Sequence, residues 1–314
     1  MTDLDEIAGR LGSSVERDAP LASLTTYGVG GPAALLARVP DADALRDLTA
    51  ALRATGVVVP ALVVGLGSNL LVGDAGFAGL VVVLGDGFAQ VAVEGTTVLA
   101  GGRAKLPVVA RQSAAAGLTG FEWASGVPGS IGGAVRMNAG VHEADMAAVL
   151  TRVHLTDLWS GEDVVMERDE LGLGYRSSTF PSSSVVVAAE LGLRPGDPAA
   201  ARAVIKEKTN WRRENQPGGR NAGSVFTNPP GGSAGRLIDD AGLKGLRVGT
   251  AEVSSKHANF IQVDEGGRAV DVWALMDAVR RRVHEVSGVI LEPENVFVGM
   301  DPLPDLSGDE TARP

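Results

Sequence analysis

The chain has 314 residues, which favours two or three domains over a single one because domains commonly contain about 100 to 150 residues. Hydrophobic residues make up 45% and charged residues 21% of the chain, a composition typical of folded globular proteins rather than disordered ones. The net charge of −10 argues against a general nucleic-acid-binding protein, and the absence of cysteine excludes disulfides, thiolate catalysis and Cys-ligated metal centres.

The N-terminal segment lacks the pattern of an export signal. Residues 1–14 carry acidic residues early and contain no apolar run, so we expect no signal peptide. The longest apolar stretches, around Val57–Val64 and Leu80–Leu84, are far shorter than the roughly 20 residues that span a bilayer. We therefore expect a cytoplasmic protein that does not insert into membranes.

The first predicted unit, residues 1–86, combines helix and strand patterns. Residues Asp41–Thr55 place apolar residues at helical spacing after an aspartate suited to capping, and Gly56 ends the pattern. We predict an amphipathic helix there. The Val-rich runs Val57–Val64 and Gly79–Leu84 are flanked by glycines and predict buried strands. This unit is expected to be α/β.

The second predicted unit, residues 87–196, mixes short strands with one helix. The Ala-rich segment Leu106–Ala116 opens near Pro107 and is followed by Gly117, which predicts a helix. Apolar and polar residues alternate over Ala89–Ala100. Short strands are predicted at Thr151–Leu158, Asp163–Glu167 and Val185–Leu193. Closely spaced prolines around Gly196 then indicate a domain boundary.

The third predicted unit, residues 197–300, is framed by two helices. Helical patterns cover Ala199–Trp211 and Val270–Val286, and the second has an apolar stripe along one face. Residues 301–314 contain three prolines and several acidic residues with little apolar content, which predicts a disordered tail.

Two glycine-rich loops are candidates for ligand binding. The segment Gly65–Asn69 puts successive backbone N–H groups at the end of a strand, a nest suited to phosphate, although a tight turn explains it equally well. The segment Gly126–Gly140 contains five glycines, more than a hairpin needs, and each costs chain entropy. Close approach of the backbone to a flat or phosphorylated ligand explains this second loop better than a simple turn.

Together with Thr25–Pro32, these loops resemble the FAD-binding half of the UDP-N-acetylenolpyruvoylglucosamine reductase (MurB) family, and matching positions extend from about Leu24 to Gly299. The resemblance implies an α+β protein with a two-part FAD-binding domain of the vanillyl-alcohol-oxidase (PCMH) type and a C-terminal α+β substrate-binding domain. It implies FAD contacts at Tyr27, Gly65, Gly67, Ser68, Asn69, Leu70, Gly126, Pro128, Gly129, Ser130, Gly132 and Gly133.

Three further segments carry side chains suited to reducing an enol ether that bears a carboxylate. That reaction needs a hydride from a cofactor, groups that hold the carboxylate, and a proton donor. From the residues alone, an Arg beside an aromatic, as in Tyr175-Arg176, is most often a surface feature. Ser224 follows a small-residue turn, where a serine is most often a cap or loop hydroxyl. Glu292 and Glu294 flank a proline.

The resemblance implies a role for one side chain in each segment. Arg176 matches the family's arginine that contacts the enolpyruvyl carboxylate, Ser224 the serine that protonates the substrate carbon, and Glu294 the acid that helps hold the carboxylate or donate through it. Because an isolated serine is a very weak acid, Ser224 needs a stabilised alkoxide or a relayed proton. One position departs from the family, since Asn295 stands where an apolar residue is usual.

Further substrate contacts are expected at Tyr175, Arg213, Asn228 and His257. The guanidinium of Arg213 suits the UDP diphosphate, although a solvated helix end explains this residue equally well. His257 and nearby Asn259 are explained nearly as well as buried structural polar residues. The histidines lack the spacing of metal ligands, so no metal site is predicted.

The resemblance implies NADPH-dependent reduction of UDP-N-acetylglucosamine enolpyruvate to UDP-N-acetylmuramate, in peptidoglycan precursor synthesis. The short spacing between Arg176 and Ser224 is similar to that of the shorter second family class, which lacks a Tyr-bearing insert. A flavin oxidase that would not need Ser224, and a UDP-sugar sensor without flavin, are the alternatives. We expect a monomer whose partners are the UDP-sugar enolpyruvyl ether and NADPH, with no nucleic acid and no membrane.

Overall fold

The computed structural model describes residues 2–141 and 144–307. The helices in chain order are α1 (Asp3–Leu11), α2 (Ala42–Thr55), α3 (Leu106–Ala115), α4 (Ile131–Arg136), α5 (Pro198–Asn215), α6 (Ala234–Asp240) and α7 (Ala269–Ser287). The strands are β1 (Val15–Pro20), β2 (Pro32–Val39), β3 (Ala61–Val64), β4 (Leu70–Val72), β5 (Phe77–Leu84), β6 (Val91–Glu94), β7 (Thr97–Gly101), β8 (Leu118–Thr119), β9 (Gly140–Val141), β10 (Ala144–Asp145), β11 (Leu150–Asp157), β12 (Asp163–Glu167), β13 (Ser184–Gly192), β14 (Arg194–Pro195), β15 (Arg247–Val248), β16 (Ala251–Val253), β17 (Ile261–Val263) and β18 (Val296–Val298). Among the described residues, no helix has both the length and the apolar composition of a membrane span.

The chain divides into two compact units. Unit 1 comprises Met1–Ala19, Ala33–Leu66 and Ala78–Arg212, and unit 2 comprises Pro20–Pro32, Gly67–Phe77 and Arg213–Pro314. Two short segments from the first quarter of the chain therefore belong with its C-terminal part. The three-part scheme predicted from the sequence, with boundaries at residues 86/87 and 196/197, stays a prediction beside this two-unit division.

The first sheet of unit 1 has the strand order β1-β2-β5-β3, with β3 and β5 parallel. Helices α1 and α2 share a hydrophobic core with it, through residues such as Ile7, Leu45 and Leu80. Helix α2 forms for the reasons predicted, because the Asp41 side chain accepts a hydrogen bond from an N–H of the first turn and Gly56 ends the helix with a left-handed backbone.

The second sheet of unit 1 is antiparallel, with the order β12-β11-β13-β7-β6. Its buried face, including Val98 and Val153, packs in one hydrophobic cluster with α3 and α4. The predicted strands at 151–158, 163–167 and 185–193 correspond to β11, β12 and β13 within one residue at each end. The predicted helix at 106–116 corresponds to α3.

Unit 2 is built around the sheet β15-β16-β17 and helices α6 and α7. Its core includes Tyr27 and Leu71 from the two N-terminal segments. Strand β4 pairs with β18 in parallel, although the two are separated by more than 220 residues of chain. The carboxylate of Asp74 accepts hydrogen bonds from the N–H groups of Ala269 (2.8 Å) and Val270 (3.1 Å), so it caps the start of α7.

Three local features differ from the sequence prediction. The strand predicted at 57–64 begins only at Ala61, because Pro60 lacks an N–H group and Val58 is exposed. Helix α1 was not predicted, although Thr2 and Asp5 form a capping box at its start. The glycine-rich segment 126–140 contains helix α4, which was also not predicted.

The predicted disordered tail begins with residues that are packed. Leu303 and Leu306 are buried, and the guanidinium of Arg280 donates to the Pro304 carbonyl at 2.9 Å. Trp273 Nε1 donates to the carbonyl of Asp301. Residues 301–307 are therefore ordered rather than disordered as predicted, because their leucines are buried. Residues 308–314 of the predicted tail lie outside the described residues.

Replacing Leu306 with Ala tests whether these residues belong to the folded core. Leu306 is 3% exposed, so the change should lower the free energy of unfolding by about 2–5 kcal/mol. Leu99→Ala is the control, because Leu99 is 42% exposed and its truncation should cost less than about 1 kcal/mol. Equal effects in urea unfolding would show that Leu306 is not part of the core.

Candidate active site

The glycines of the first loop lie close to other parts of the protein. A Cβ on Gly65 would overlap Ser130 Oγ within unit 1, and a Cβ on Gly67 would overlap the Leu24 carbonyl oxygen within unit 2. Gly67 also has a φ of +61°, in the region that favours glycine. Close approach to backbone explains Gly67, whereas Gly65 faces a side-chain hydroxyl, and a phosphate contact by this loop stays a prediction.

The second loop contains glycines of two kinds. Gly132 donates its N–H to the Gly102 carbonyl at 2.8 Å, and Ser130 Oγ caps α4 by accepting from Gly133. A Cβ on Gly126, by contrast, would meet no described protein atom within 4 Å. Packing within the protein does not explain Gly126, whereas close approach of a ligand would.

Two buried donors of unit 1 have no hydrogen-bond partner in the described part of the chain. They are Arg103 Nη1 and Trp123 Nε1. Arg103 stands between Gly102 and Ala104, whose carbonyl oxygens accept N–H groups of the second loop, and Trp123 precedes that loop in the chain. An unpaired buried donor costs about 1–3 kcal/mol, so these atoms fit acceptor groups that a bound ligand would supply.

Arg176 lies in a tight turn of unit 1. Gly174 and Ser177 exchange backbone hydrogen bonds of 3.0 and 3.4 Å around Tyr175 and Arg176, and Arg176 has a φ of +55°. Positive φ is uncommon for an arginine, and such strain concentrates at functional sites. Nη2 of Arg176 donates to the Gly140 carbonyl at 2.8 Å, and the guanidinium carbon lies 5.0 Å from the centre of the Tyr175 ring.

The segments that carry Ser224 and Glu294 pair with each other in unit 2. The Glu294 N–H donates to the Val225 carbonyl at 2.8 Å, and the Thr227 N–H donates to the Glu292 carbonyl at 2.9 Å. The proposed proton donor and the proposed carboxylate are therefore on adjacent, hydrogen-bonded stretches of backbone.

The Asn259 side chain also binds the backbone of the serine segment, at Phe226. Its Oδ1 accepts from the Phe226 N–H at 3.0 Å, its Nδ2 donates to the Phe226 carbonyl at 2.8 Å, and it is 4% exposed. Of the two explanations considered from the sequence, a buried structural role accounts for Asn259. His257 accepts the Asn259 N–H at 3.3 Å, and burial, with a smaller effect of Lys244, lowers the pKa of His257.

Asn295, the position that departs from the family pattern, is the centre of a buried polar network. Its Oδ1 accepts from the Tyr27 hydroxyl at 3.2 Å, and its Nδ2 faces Asn69 Oδ1 (3.0 Å) and the carbonyls of Ala222 (3.3 Å) and Ser224 (3.4 Å). Tyr27 is fully buried, and burial raises its pKa, so its hydroxyl stays a donor. This placement gives Tyr27 a structural role, and its contact with FAD stays a prediction.

Asn69 completes this network on the side of the first glycine loop. Its Nδ2 donates to the Glu294 carbonyl at 2.9 Å, and its own carbonyl accepts the Val296 N–H. The end of the first loop, the serine segment and the Glu294 segment are thereby joined within unit 2 by two carboxamides, those of Asn69 and Asn295.

The remaining substrate candidates have identifiable contacts in unit 2. Asn228 Oδ1 accepts the N–H of Ala234 at the start of α6. Arg213 is exposed, and its carbonyl accepts from Lys256. Contact of these side chains with a substrate stays a prediction.

The sequence-predicted site residues fall into two groups. In unit 1 lie Gly65, Gly126, Pro128, Gly129, Ser130, Gly132, Gly133, Tyr175 and Arg176. In unit 2 lie Tyr27, Gly67, Ser68, Asn69, Leu70, Arg213, Ser224, Asn228, His257 and Glu294. The structure brings Ser224 and Glu294 together within unit 2, and their joint use with Arg176 is a proposal.

Comparison with known proteins identifies the family. The model of the UDP-N-acetylenolpyruvoylglucosamine reductase C-terminal domain matches residues 215–298, and an FAD-binding-domain model matches residues 33–166. The reductase of Anaeromyxobacter dehalogenans is 44% identical over 98% of this chain and 93% of its own length. The chain belongs to the UDP-N-acetylenolpyruvoylglucosamine reductase family.

Other members of the family support the same conclusion. The UDP-N-acetylenolpyruvoylglucosamine reductase 2 of Symbiobacterium thermophilum is 45% identical over 92% of this chain and 93% of its own length. The crystal structure of the reductase (MurB) from Thermus caldophilus is similar with a TM-score of 0.78 and 39% identity, covering 90% of this chain and 98% of that one. The predicted family, the α+β fold with an FAD-binding domain and the oxidoreductase class are confirmed.

Two structural features near the predicted site residues were not predicted from the sequence. Asn295 was recognised only as a departure from the family pattern, although it lies next to Glu294 and accepts a hydrogen bond from the buried Tyr27. The left-handed backbone of Arg176 was not foreseen, although Gly174 close before it indicated a turn.

Replacing Arg176 tests the backbone strain at this position. At a φ of +55°, glycine is unstrained, so Arg176→Gly should be about 1 kcal/mol more stable than Arg176→Ala. Arg111 lies within α3 and supplies the opposite control, because Arg111→Gly should be about 1 kcal/mol less stable than Arg111→Ala. The same order of stability at both positions in urea unfolding would contradict the strained conformation.

A double-mutant cycle tests the polar network. Tyr27→Phe leaves a buried acceptor on Asn295 and should cost about 1–3 kcal/mol of unfolding free energy. In an Asn295→Ala background, the cost of Tyr27→Phe should fall by at least about 0.5 kcal/mol. Tyr175→Phe, at the only other tyrosine and 60% exposed, is the stability control. Strict additivity of the two changes would show that the hydroxyl and the carboxamide do not interact.

Proposed function

We propose that this chain uses FAD and NADPH to reduce UDP-N-acetylglucosamine enolpyruvate to UDP-N-acetylmuramate in peptidoglycan precursor synthesis. The observation that carries the proposal is the 44% identity to a named reductase over 98% of the chain. The fold supports it, because the backbone pairing of the Ser224 and Glu294 segments keeps two of the three expected groups on neighbouring stretches of chain.

The residues present fit FAD. Gly126 leaves space beside the second loop, and Arg103 and Trp123 offer buried donors without protein partners in the described residues. These residues would hold FAD together with the loop that begins at Gly65. When bound and reduced by NADPH, the cofactor supplies the hydride that is added to carbon 3 of the enolpyruvyl group.

Arg176 and Glu294 hold the substrate carboxylate. Addition of hydride to the carbon–carbon double bond moves negative charge onto the adjacent carbon and its carboxylate, and a guanidinium can stabilise that charge with paired hydrogen bonds. Glu294 assists in its protonated form. It either donates a hydrogen bond to the substrate carboxylate or serves as a proton donor.

Ser224 donates the proton that carbon 2 receives, which completes the saturation of the double bond. A serine hydroxyl is a weak acid, so the role requires stabilisation of its alkoxide or return of a proton through a relay. The network of Asn295 contacts the Ser224 carbonyl and holds the serine backbone in place, which serves alignment rather than acidity.

Ser224→Ala tests the assignment. Flavin reduction by NADPH should keep its wild-type rate, whereas flavin reoxidation by the enolpyruvyl sugar nucleotide should slow by about 10²–10⁴-fold because the proton donor is lost. Both half-reactions are measured separately by anaerobic stopped-flow absorbance.

Ser287→Ala is the matched control, since that hydroxyl donates to a carbonyl at the end of α7 and should leave both rates unchanged. Equal loss of both half-reactions in Ser224→Ala, or of neither, would contradict the role of Ser224. A colourless protein that does not take up FAD would favour the sugar-sensor alternative.

A further inference from the structure

The Arg176 turn is attached to the end of the glycine-rich loop by three hydrogen bonds, all within unit 1. Ser178 Oγ donates to the Arg136 carbonyl at 2.7 Å, Asn138 Nδ2 donates to the Gly174 carbonyl at 2.9 Å, and Arg176 Nη2 donates to the Gly140 carbonyl at 2.8 Å. Residues 136–140 therefore contact the turn before, at and after the arginine.

Asn138 is the member of this set whose side chain is buried. It is 4% exposed, and its second Nδ2 hydrogen bond goes to Asp145 Oδ2 at 3.2 Å. Its Oδ1 accepts the N–H of Ala147 at 2.9 Å. Both ends of the carboxamide thus have partners, which fixes its orientation and directs a donor at the Gly174 carbonyl.

The simpler explanation of Asn138 is that it ends helix α4. It has a φ of +40° just past the helix, and the next N–H, that of Ala139, donates to the Ala134 carbonyl as in a Schellman motif. Glycine serves this backbone position as well as asparagine does. The bond from Asn138 to Gly174 is therefore not required by the helix end.

The turn, in contrast, needs support from outside. An arginine with a left-handed backbone is intrinsically unfavourable, so the turn persists only where surrounding contacts hold it. Among these contacts, the bond from Asn138 acts directly on the turn backbone, next to the residue that precedes Arg176. Displacement of a positioned group by about 1 Å can cost about 100-fold in rate.

The geometry points to Asn138 as a positioning residue for Arg176. Its carboxamide fixes the Tyr175-Arg176 turn through the Gly174 carbonyl, and so sets where the guanidinium meets the substrate carboxylate. This inference rests on the proposed function, because it requires that Arg176 binds that carboxylate.

Asn138→Gly tests the inference, since glycine keeps the left-handed backbone and the helix end while removing only the carboxamide. In the FAD-loaded enzyme, titration with UDP-N-acetylmuramate, followed by the flavin absorbance change, should show binding weakened by about 10- to 100-fold. The rate of flavin reduction by NADPH should stay within about twofold of wild type, because that step does not use the carboxylate contact.

Asp18→Gly is the matched control. Asp18 is exposed and has a φ of +50°, so this change also places glycine at a left-handed position of unit 1. It should leave both measurements unchanged. An Asn138→Gly variant that binds the sugar nucleotide as tightly as the control does would overturn the inference and leave Asn138 as a helix cap.

An Arg176→Ala background separates this inference from the proposed function. If Asn138 acts through Arg176, adding Asn138→Gly to Arg176→Ala should weaken binding no further. An equal effect of Asn138→Gly in both backgrounds would overturn the positioning role while leaving the role of Arg176 intact. If Arg176→Ala alone binds the sugar nucleotide normally, the proposed role of Arg176 fails instead.

Discussion

Two carboxamides, those of the half-buried Asn69 and the buried Asn295, hold together three stretches of unit 2 that are far apart in the chain. Because Tyr27 donates to Asn295 Oδ1, the amide nitrogen of Asn295 must face the oxygens of Asn69, Ala222 and Ser224. In a dry interior such a network stabilises the fold only when each member has its partner. The backbone hydrogen bond from the Glu294 N–H to the Val225 carbonyl joins residues that are sequence neighbours of Asn295 and Ser224.

The same logic applies in unit 1 at the Arg176 turn. There the glycine-rich segment does more than form a loop, because its end contacts the turn through Asn138 and Gly140. The glycines themselves divide by function. Gly65 and Gly67 allow protein chains to pack closely, whereas Gly126 leaves space that the described protein atoms do not fill. A count of glycines in a sequence cannot separate these two uses.

Elements with strong local patterns were predictable from the sequence. Helix α2 has an aspartate cap, an apolar stripe and a glycine end, and β12 was predicted at its observed residues. Motif resemblance singled out Ser224 and Glu294, whose backbone segments the structure pairs, and their catalytic roles stay predictions. The other features depend on partners that are distant in sequence. The role of Asn295 becomes clear only from its contacts with Tyr27 and Asn69. Leu306 lies in a polar tail sequence, and only the structure shows that it is buried. The division of the chain into units followed long-range pairing, which no local pattern reports.

The parallel pairing of β4 with β18 has a consequence for synthesis on the ribosome. Residues Leu70–Val72 emerge more than 220 residues before Val296–Val298. At about 5–20 residues per second, the early strand waits on the order of 10–45 s for its partner. During that interval the unpaired edge of β4 must avoid pairing with other nascent chains. The apolar side chain of Leu71, which is later buried in the core, must avoid contacts with them. Strand β18, which is translated after β4, therefore completes a core to which β4 already contributes.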